Sequence, residues 1–299
     1  VLICEPRHLE MYLNNPDLRC IYIYLGVLFR WVICLAVIWY VCIFCVGCVY
    51  AERNETQNQV TPKPIRVATY NIRHGVGMDG KLDLSRTLKT LRELNADVIA
   101  LQEVDQLVTR SGKVDQVAWL GERLKMHSAF GSFMNFQGGQ YGLAVLSRYP
   151  IDSSEQWRLT DGNEPRVALA ADIRLPSGGV FRAIAVHFDW VDRDDFRFTQ
   201  ATEVINRLRK INVPWIVFGD FNGTPASRTM KAFYAIGKGI RPTTGDAYSF
   251  PADTPRIEID TIIAGPPSQW VVNTGVVIDD PITSDHRPVM ATLQLKNFE

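Results

Sequence analysis

The sequence predicts an α/β protein whose chemistry sits at the ends of buried strands, and two stretches predict it. Pro214-Trp215-Ile216-Val217-Phe218 is an apolar run bounded by proline and glycine, the composition of a buried strand. It stops at Gly219-Asp220-Phe221-Asn222, so a rigid element ends in a carboxylate and an amide at a turn. Upstream, Ile65–Asn71 reads as a strand with a polar end, and Leu84, Leu88 and Leu91 have the spacing of an amphipathic helix. Residues 98–101 then read as a buried strand running into Gln102-Glu103. A strand, a helix and a strand ending in a carboxylate make a layered α/β unit.

The N-terminal part reads differently. Residues 21–49 are apolar apart from Arg30, and no charge occurs from Trp31 to Val49, a run long enough to span a bilayer. Arg7, Arg19 and Arg30 precede that run, and Val49-Tyr50-Ala51 resembles a small-residue cleavage site. Residues 1–51 are therefore expected to be a signal peptide or an N-terminal membrane anchor, with the body exported: secreted, periplasmic or membrane-anchored. A core helix is the competing reading. Residues 52–64, polar with two prolines, suit a linker, and residues 65–299 form the body. All six cysteines lie in the first 48 residues, so the body has no disulfide, thiolate metal site or cysteine nucleophile.

The body continues in order with a helix at Gln116–Leu124 and a strand at 143–146 that ends in Ser147-Arg148. Strands at 167–173 and 180–186 flank a Pro176-Ser177-Gly178-Gly179 turn, and the second runs into His187. A helix over 194–210 turns Ala201, Val204, Ile205 and Leu208 inward. After the strand that ends at Asp220 come a helix at 227–236, a strand at 259–264 beside Asp260, and a last strand at Val289–Leu295. Ser284-Asp285-His286-Arg287-Pro288 stands just before that last strand.

Eight polar residues thus mark the edges of apolar strands: Asn71, Glu103, His187, Asp220, Asn222, Asp260, Asp285 and His286. Each alone is more simply a satisfied turn or core hydrogen bond. Together they supply hard oxygen donors, two imidazoles and two amides, a set that suits Mg²⁺ or Mn²⁺ with phosphate chemistry better than zinc. The 299 residues, 33.8 kDa, carry a formal net charge of +0, which is not the footprint of a general nucleic-acid binder.

From about Ile65 to Leu295 the chain resembles the endonuclease/exonuclease/phosphatase superfamily, the deoxyribonuclease-I-like proteins. The resemblance is carried by Thr69-Tyr70-Asn71-Ile72-Arg73, Leu101-Gln102-Glu103-Val104-Asp105, Tyr141-Gly142-Leu143-Ala144-Val145-Leu146-Ser147-Arg148, Val186-His187-Phe188-Asp189, Gly219-Asp220-Phe221-Asn222, Ile259-Asp260 and Ser284-Asp285-His286-Arg287-Pro288. It implies a four-layer α/β sandwich, two packed mixed β-sheets flanked by helices. It implies Glu103 as principal metal ligand with Asn71 and Asp285 near the metal, Mg²⁺ with Mn²⁺ as an option. It implies Asp220 as the group that orients or deprotonates water, Asp260 as the partner of His286, and Asn222 and His187 as phosphate-oxygen partners. His187 is also a candidate to protonate the leaving oxygen, and the division of roles between Asp220 and His286 stays open. Arg166 matches a family position as a substrate contact, and Arg197 and Gln200 match as structural residues. Two departures are Leu143, where many relatives carry asparagine, and Thr261, where an aromatic is usual.

The expected function is a Mg²⁺-dependent phosphoesterase that hydrolyses a phosphodiester or phosphomonoester by metal-assisted attack of water. An exported nuclease on DNA or RNA is one alternative, and a catalytically inactive binding protein on the same fold is another. A small-molecule or lipid phosphoester is favoured over nucleic acid. Asp189, Asp192, Asp194 and Asp195 after His187 would repel a polyanion, and Phe188 and Trp190 offer aromatic contact, although ordinary packing explains them as well. The protein is expected to be a monomer that meets a membrane through residues 21–49 if these are retained.

Overall fold

The structure is a computed structural model, and it describes residues 29–40, 63–243 and 245–296. The chain divides into two units, Val1–Val60 and Thr61–Glu299. In the first unit residues 29–40 are helical and every one of them is exposed. Among the described residues no helix is long and apolar enough to cross a membrane. The rest of the expected signal or anchor, the cleavage site at 49–51 and most of the linker lie outside the described residues.

The body opens by alternating strands with helices and continues mainly in strands. β1 (Ile65–Asn71) leads to α1 (Leu84–Leu94), β2 (Val98–Gln106) and α2 (Gln116–Leu124). Next come β3 (His127–Phe136), β4 (Gly139–Ser147), β5 (Ile151–Arg158), β6 (Val167–Arg174) and β7 (Val180–His187). They are followed by α3 (Asp195–Leu208), β8 (Trp215–Asp220), α4 (Arg228–Tyr234), β9 (Lys238–Ile240), β10 (Asp260–Gly265), β11 (Trp270–Val277) and β12 (Val289–Leu295). Asp83, Asp115 and Ser227 cap α1, α2 and α4, each side chain accepting from backbone N–H groups of the first turn. α1 ends at Asn95 and α2 at Lys125, both left-handed.

The strands form two six-stranded sheets, ordered β11-β12-β1-β2-β4-β3 and β5-β6-β7-β8-β10-β9. Each has one parallel pair at its centre, β1 with β2 and β7 with β8, and antiparallel neighbours elsewhere. The sheets face one another across a core that includes Val67, Ala100, Leu143, Val145, Ala185, Ile216, Phe218 and Ile262. α1 and α2 cover the far face of the first sheet through Leu88, Leu91, Val117 and Leu120. α3 and α4 cover the far face of the second through Ala201, Val204, Leu208 and Phe233. This is the four-layer sandwich. Each central strand is buried on both faces, and each fully buried aliphatic or aromatic side chain contributes about 1.5–3 kcal/mol.

Four strands have no counterpart in the sequence reading. β3, β5 and β11 are sheet edges or lie at them, and β5 is almost wholly polar and exposed, Ile151-Asp152-Ser153-Ser154-Glu155-Gln156-Trp157-Arg158. An edge strand has one open face and tolerates charge, so it loses the apolar signature. β9 is three residues long. β2, expected to end at Glu103, continues to Gln106.

Candidate active site

The site follows from strand parity. Side chains alternate along a strand, so residues two apart share a face. Val67, Thr69 and Asn71 on β1, Ala183, Ala185 and His187 on β7, and Ile216, Phe218 and Asp220 on β8 form three such rows. Their apolar members lie between the sheets, so Asn71, His187 and Asp220 continue the inter-sheet face to the C-terminal ends of the parallel pairs. β10 runs the other way and begins at Asp260, paired with Asp220. Asn71 Nδ2 donates to Asp220 Oδ2 at 3.3 Å and so joins the two sheets at this end.

Glu103 reaches the same place through a bulge. Leu101 pairs with Ala144 and Val104 with Gly142, so Gln102 and Glu103 together stand opposite Leu143. Glu103 is left-handed, with φ 56, and such bulges re-aim a side chain at the cost of local strain. Its Oε1 accepts from Asn71 Nδ2 at 3.0 Å. The segment after Asn71 is strained in the same sense, with Arg73 and His74 both at φ 44. Arg73 N donates to Asn71 Oδ1 at 3.1 Å, which turns the amide nitrogen, not the oxygen, towards the carboxylates. Buried Gln116 ties the two segments together: its Oε1 accepts from Asp105 N at 2.9 Å and its Nε2 donates to His74 O at 2.7 Å. Asp285, partly exposed, pairs with Arg73 at 3.6 Å.

Asp220 stands between two imidazoles. Its Oδ2 lies 3.5 Å from His187 Nε2 and 3.7 Å from His286 Nε2, with all three side chains buried. Backbone packing holds it there. A Cβ on Gly219 would lie 2.0 Å from the Val186 carbonyl oxygen, so only glycine lets β8 lie this close to β7. Asn222, left-handed at φ 48, donates its backbone N–H to Asp220 Oδ1 at 2.8 Å and its side-chain Nδ2 to Phe188 O at 3.0 Å. His286 Nδ1 bonds Asp260 Oδ2 at 2.8 Å, and Ser249 Oγ donates to the same oxygen at 2.6 Å.

These contacts drive the titrations apart. Burial works against a charge on His286, but Asp260 and Asp220 outweigh it and push its pKa up to about 10. His187 goes the other way: burial, then Arg166 and His286, hold it well below the usual imidazole value. Burial, then the Asp260 charge, raise Asp220 to about 7 against the opposing pull of His286 and the bonds from Asn222 and Asn71. Glu103 is raised by burial and by the charge of Asp285, with the Asn71 bond opposing.

Among the described residues Arg166 is one of the largest fully buried side chains, 1% exposed. Nη2 pairs with Glu164 at 3.0 Å and the guanidinium lies over Phe133 at 4.9 Å. Its Nε and Nη1 have no partner, and neither has the buried Nδ1 of His187. Unpaired buried donors are costly, and here they are a cation and an imidazole beside a carboxylate cluster. Oxygens of a phosphoryl group have the charge and the acceptors to satisfy them.

The donor set fits a divalent cation at Glu103 and Asp285. Both are oxygen ligands, and the mutual charge that raises Glu103 is what a cation would relieve. Asp220, Asp260 and His286 also lie close enough together to hold an ion. In that group Nδ1 of His286 is already bonded to Asp260 Oδ2 at 2.8 Å.

Other sequence-singled residues fall outside the site. Arg197 donates to the carbonyls of Asp189, Val191 and Asp192, and Gln200 bridges Asp189 N and Thr160 O. Leu143 belongs to the inter-sheet core and Thr261 is buried on β10. Phe188 is no substrate contact: it is buried against Phe221 and Phe233. Asp189 is buried too, accepting from the backbone of Asn163 and Val191. Four further residues at the site were given no role from the sequence. Ser249 holds Asp260, Phe250 lies 4.8 Å from the His286 ring, Ser284 donates to Asn71 O at 2.7 Å, and Phe133 underlies Arg166 and His187. Ser249-Phe250-Pro251 sits in a stretch without periodicity, which gave no signal.

Residues 68–286 match the profile of the Endonuclease/Exonuclease/phosphatase family. YbhP of Escherichia coli (strain K12), an uncharacterized protein, is 27% identical over 251 residues, 77% of this chain and 96% of its own length. The endonuclease/exonuclease/phosphatase of Beutenbergia cavernae DSM 12333 superposes with a TM-score of 0.68 at 23% identity, over 78% of this chain and 72% of that one. The mannosyl-6-phosphatase Bt3783 of Bacteroides thetaiotaomicron VPI-5482 superposes with a TM-score of 0.63 at 18% identity, over 77% of this chain and 99% of its own.

Proposed function

The chain belongs to the endonuclease/exonuclease/phosphatase family, and from that premise we propose that it is a Mg²⁺-dependent phosphoesterase that cleaves a phosphodiester or phosphomonoester by attack of water. The observation that carries this reading is Asp220, one buried carboxylate between two imidazoles whose pKa values move in opposite directions. Groups pushed apart in this way mark acid–base assignments.

In this reading the Asp220 carboxylate takes the proton of the attacking water. His286, held cationic and oriented by Asp260, stabilises that carboxylate and the charge gathering on the phosphoryl oxygens. His187 is neutral, so it contributes a hydrogen bond to a phosphoryl or leaving-group oxygen. Arg166 supplies a buried positive charge with two open N–H positions. Asn71 fixes the relative position of Glu103 and Asp220 by donating to both, and Asn222 fixes Asp220 from the other side. Glu103 and Asp285 would hold the Mg²⁺, which when bound polarises the phosphoryl group and neutralises developing charge.

We further propose that residues 1–51 direct or anchor the body outside the cytoplasm. The uncharged run at 31–49 and the exposed apolar side chains of the helix at 29–40 support this. A panel of duplex DNA, RNA, phospholipids and phosphomonoesters, each assayed with Mg²⁺, tests the reading of the substrate. Hydrolysis of none of them would favour the binding-protein alternative.

A further inference from the structure

The apolar side chains that the body exposes are gathered at one end of it. β12 and β10 run antiparallel to β1 and β8, so the loops that lead into them, 278–288 and 241–259, lie at the same end as those leaving β1, β2 and β7. These loops surround the site. The described body exposes eight large apolar side chains. Six stand in these loops: Met78, Leu82, Leu107, Trp190, Tyr248 and Ile282. Phe196 is in the first turn of α3, again at this end, and only Val271 on the edge strand β11 lies elsewhere. Single exposed apolar groups are ordinary on a soluble surface, but seven of these eight stand at the end of the body that holds the site.

The charge at this end selects the partner. The loops there (72–83, 107–115, 137–138, 159–166, 188–194, 221–227, 241–259 and 278–288) hold fourteen acidic residues against nine lysines and arginines and the cationic His286. A nucleic acid or an anionic membrane would be repelled by that balance, whereas a surface without net charge would not. Trp190 and Tyr248, half exposed at 56% and 43%, are the amphipathic ring types that settle at a membrane–water boundary. The same chain carries the uncharged run 31–49, joined to the body through 52–64, which would keep a bilayer within reach.

We propose that this apolar rim seats the active site on a lipid surface without net charge, and that its substrate is the phosphoester of an amphiphilic lipid with a zwitterionic head group. The substrate half rests on the phosphoesterase reading above; the seating does not. Burial of the rim side chains in the interface supplies the attachment, so it is insensitive to salt.

Photo-crosslinking of the full chain reconstituted in phosphatidylcholine vesicles tests this. A photoreactive benzoylphenylalanine replaces Trp190, Ile282 or Val271, one at a time. Lipid adducts are expected at 190 and 282, unchanged in high salt, with only background at 271. Equal labelling at 271, or none at 190 and 282 in vesicle-bound protein, would overturn the seating. Labelling that needs phosphatidylglycerol and disappears in high salt would overturn it as well. Turnover of the vesicle phosphatidylcholine, read beside bis(p-nitrophenyl) phosphate and p-nitrophenyl phosphate as soluble diester and monoester, separates the two readings in the same samples, and hydrolysis of the soluble esters alone would overturn the lipid substrate. Adducts without turnover would keep the seat and remove the hydrolase, and turnover without adducts would do the reverse.

Discussion

Oδ2 of Asp260 lies 2.8 Å from Nδ1 of His286, and both side chains are buried. A second donor, Ser249 Oγ, holds the same oxygen at 2.6 Å. The carboxylate therefore orients the ring and keeps its charge. Asp260→Asn should bring the His286 pKa down from about 10 and lower kcat by about a hundredfold, the usual scale for an acid–base group. NMR titration of the imidazole together with the rate reads both. An unshifted titration would remove Asp260 from this role.

Glu103 gives a prediction in which stability and binding part company. Its pKa is raised by burial and by Asp285, so its charged form is disfavoured in the fold. A raised folded-state pKa contributes stability at low pH that is lost as pH rises through the folded value. At neutral pH without metal, Glu103→Gln should be at least as stable as the parent. Calorimetric titration with Mg²⁺ should show its affinity strongly weakened, and undiminished affinity would exclude Glu103 as the principal ligand.

Gln116 touches no reacting group, yet it bonds the backbone on both strained segments. Gln116→Leu leaves Asp105 N–H and His74 C=O without partners, at about 1–3 kcal/mol for each buried group. Thermal unfolding should fall accordingly. Mg²⁺ affinity should weaken too, because the Glu103 bulge and the Asn71 turn lose their common tie. A fall in Tm with normal affinity would make Gln116 structural only.

For Arg166, lysine is the informative substitution. It keeps the charge but loses the planar set of donors. Arg166→Lys should lower kcat/KM by about tenfold or more, in line with the loss of charge-assisted hydrogen bonds worth roughly 1.5–3 kcal/mol. Steady-state kinetics on the best substrate of the panel measures it, and an unchanged kcat/KM would make Arg166 a core cation serving Glu164 and Phe133.

The layers of the fold were legible because the central strands are buried on both faces and read as plain apolar runs. Their polar ends stood out against those runs at Asn71, His187, Asp220 and Asp260. Which of these residues touch was not legible, because double burial hides the alternation that tells one face from the other. Glu103 shows a different limit. The family resemblance placed it with Asn71, but the contact depends on one extra residue in β2, and nothing in Leu101-Gln102-Glu103-Val104 announces that bulge. Phe188 looked available because it follows His187 in a loop, but Phe221 and Phe233 from distant segments enclose it. Ser249 and Phe250 reach the site by a long excursion between β9 and β10, where only tertiary contacts give them meaning.

The most direct test of the central claim is the pH–rate profile of bis(p-nitrophenyl) phosphate hydrolysis with Mg²⁺, compared between the parent chain and Asp220→Asn. The carboxylate must be unprotonated to take a proton from water, and its pKa is raised to about 7. The parent should therefore lose activity as pH falls through about 7. Asp220→Asn should be at least about a hundredfold slower on the plateau and lack that limb. Its Tm above pH 7 should be unchanged or higher, since the stability tied to a raised carboxyl pKa is already lost there in the parent. A variant that keeps near-parent turnover with the same acid limb would contradict the assignment of Asp220 as the group that activates water.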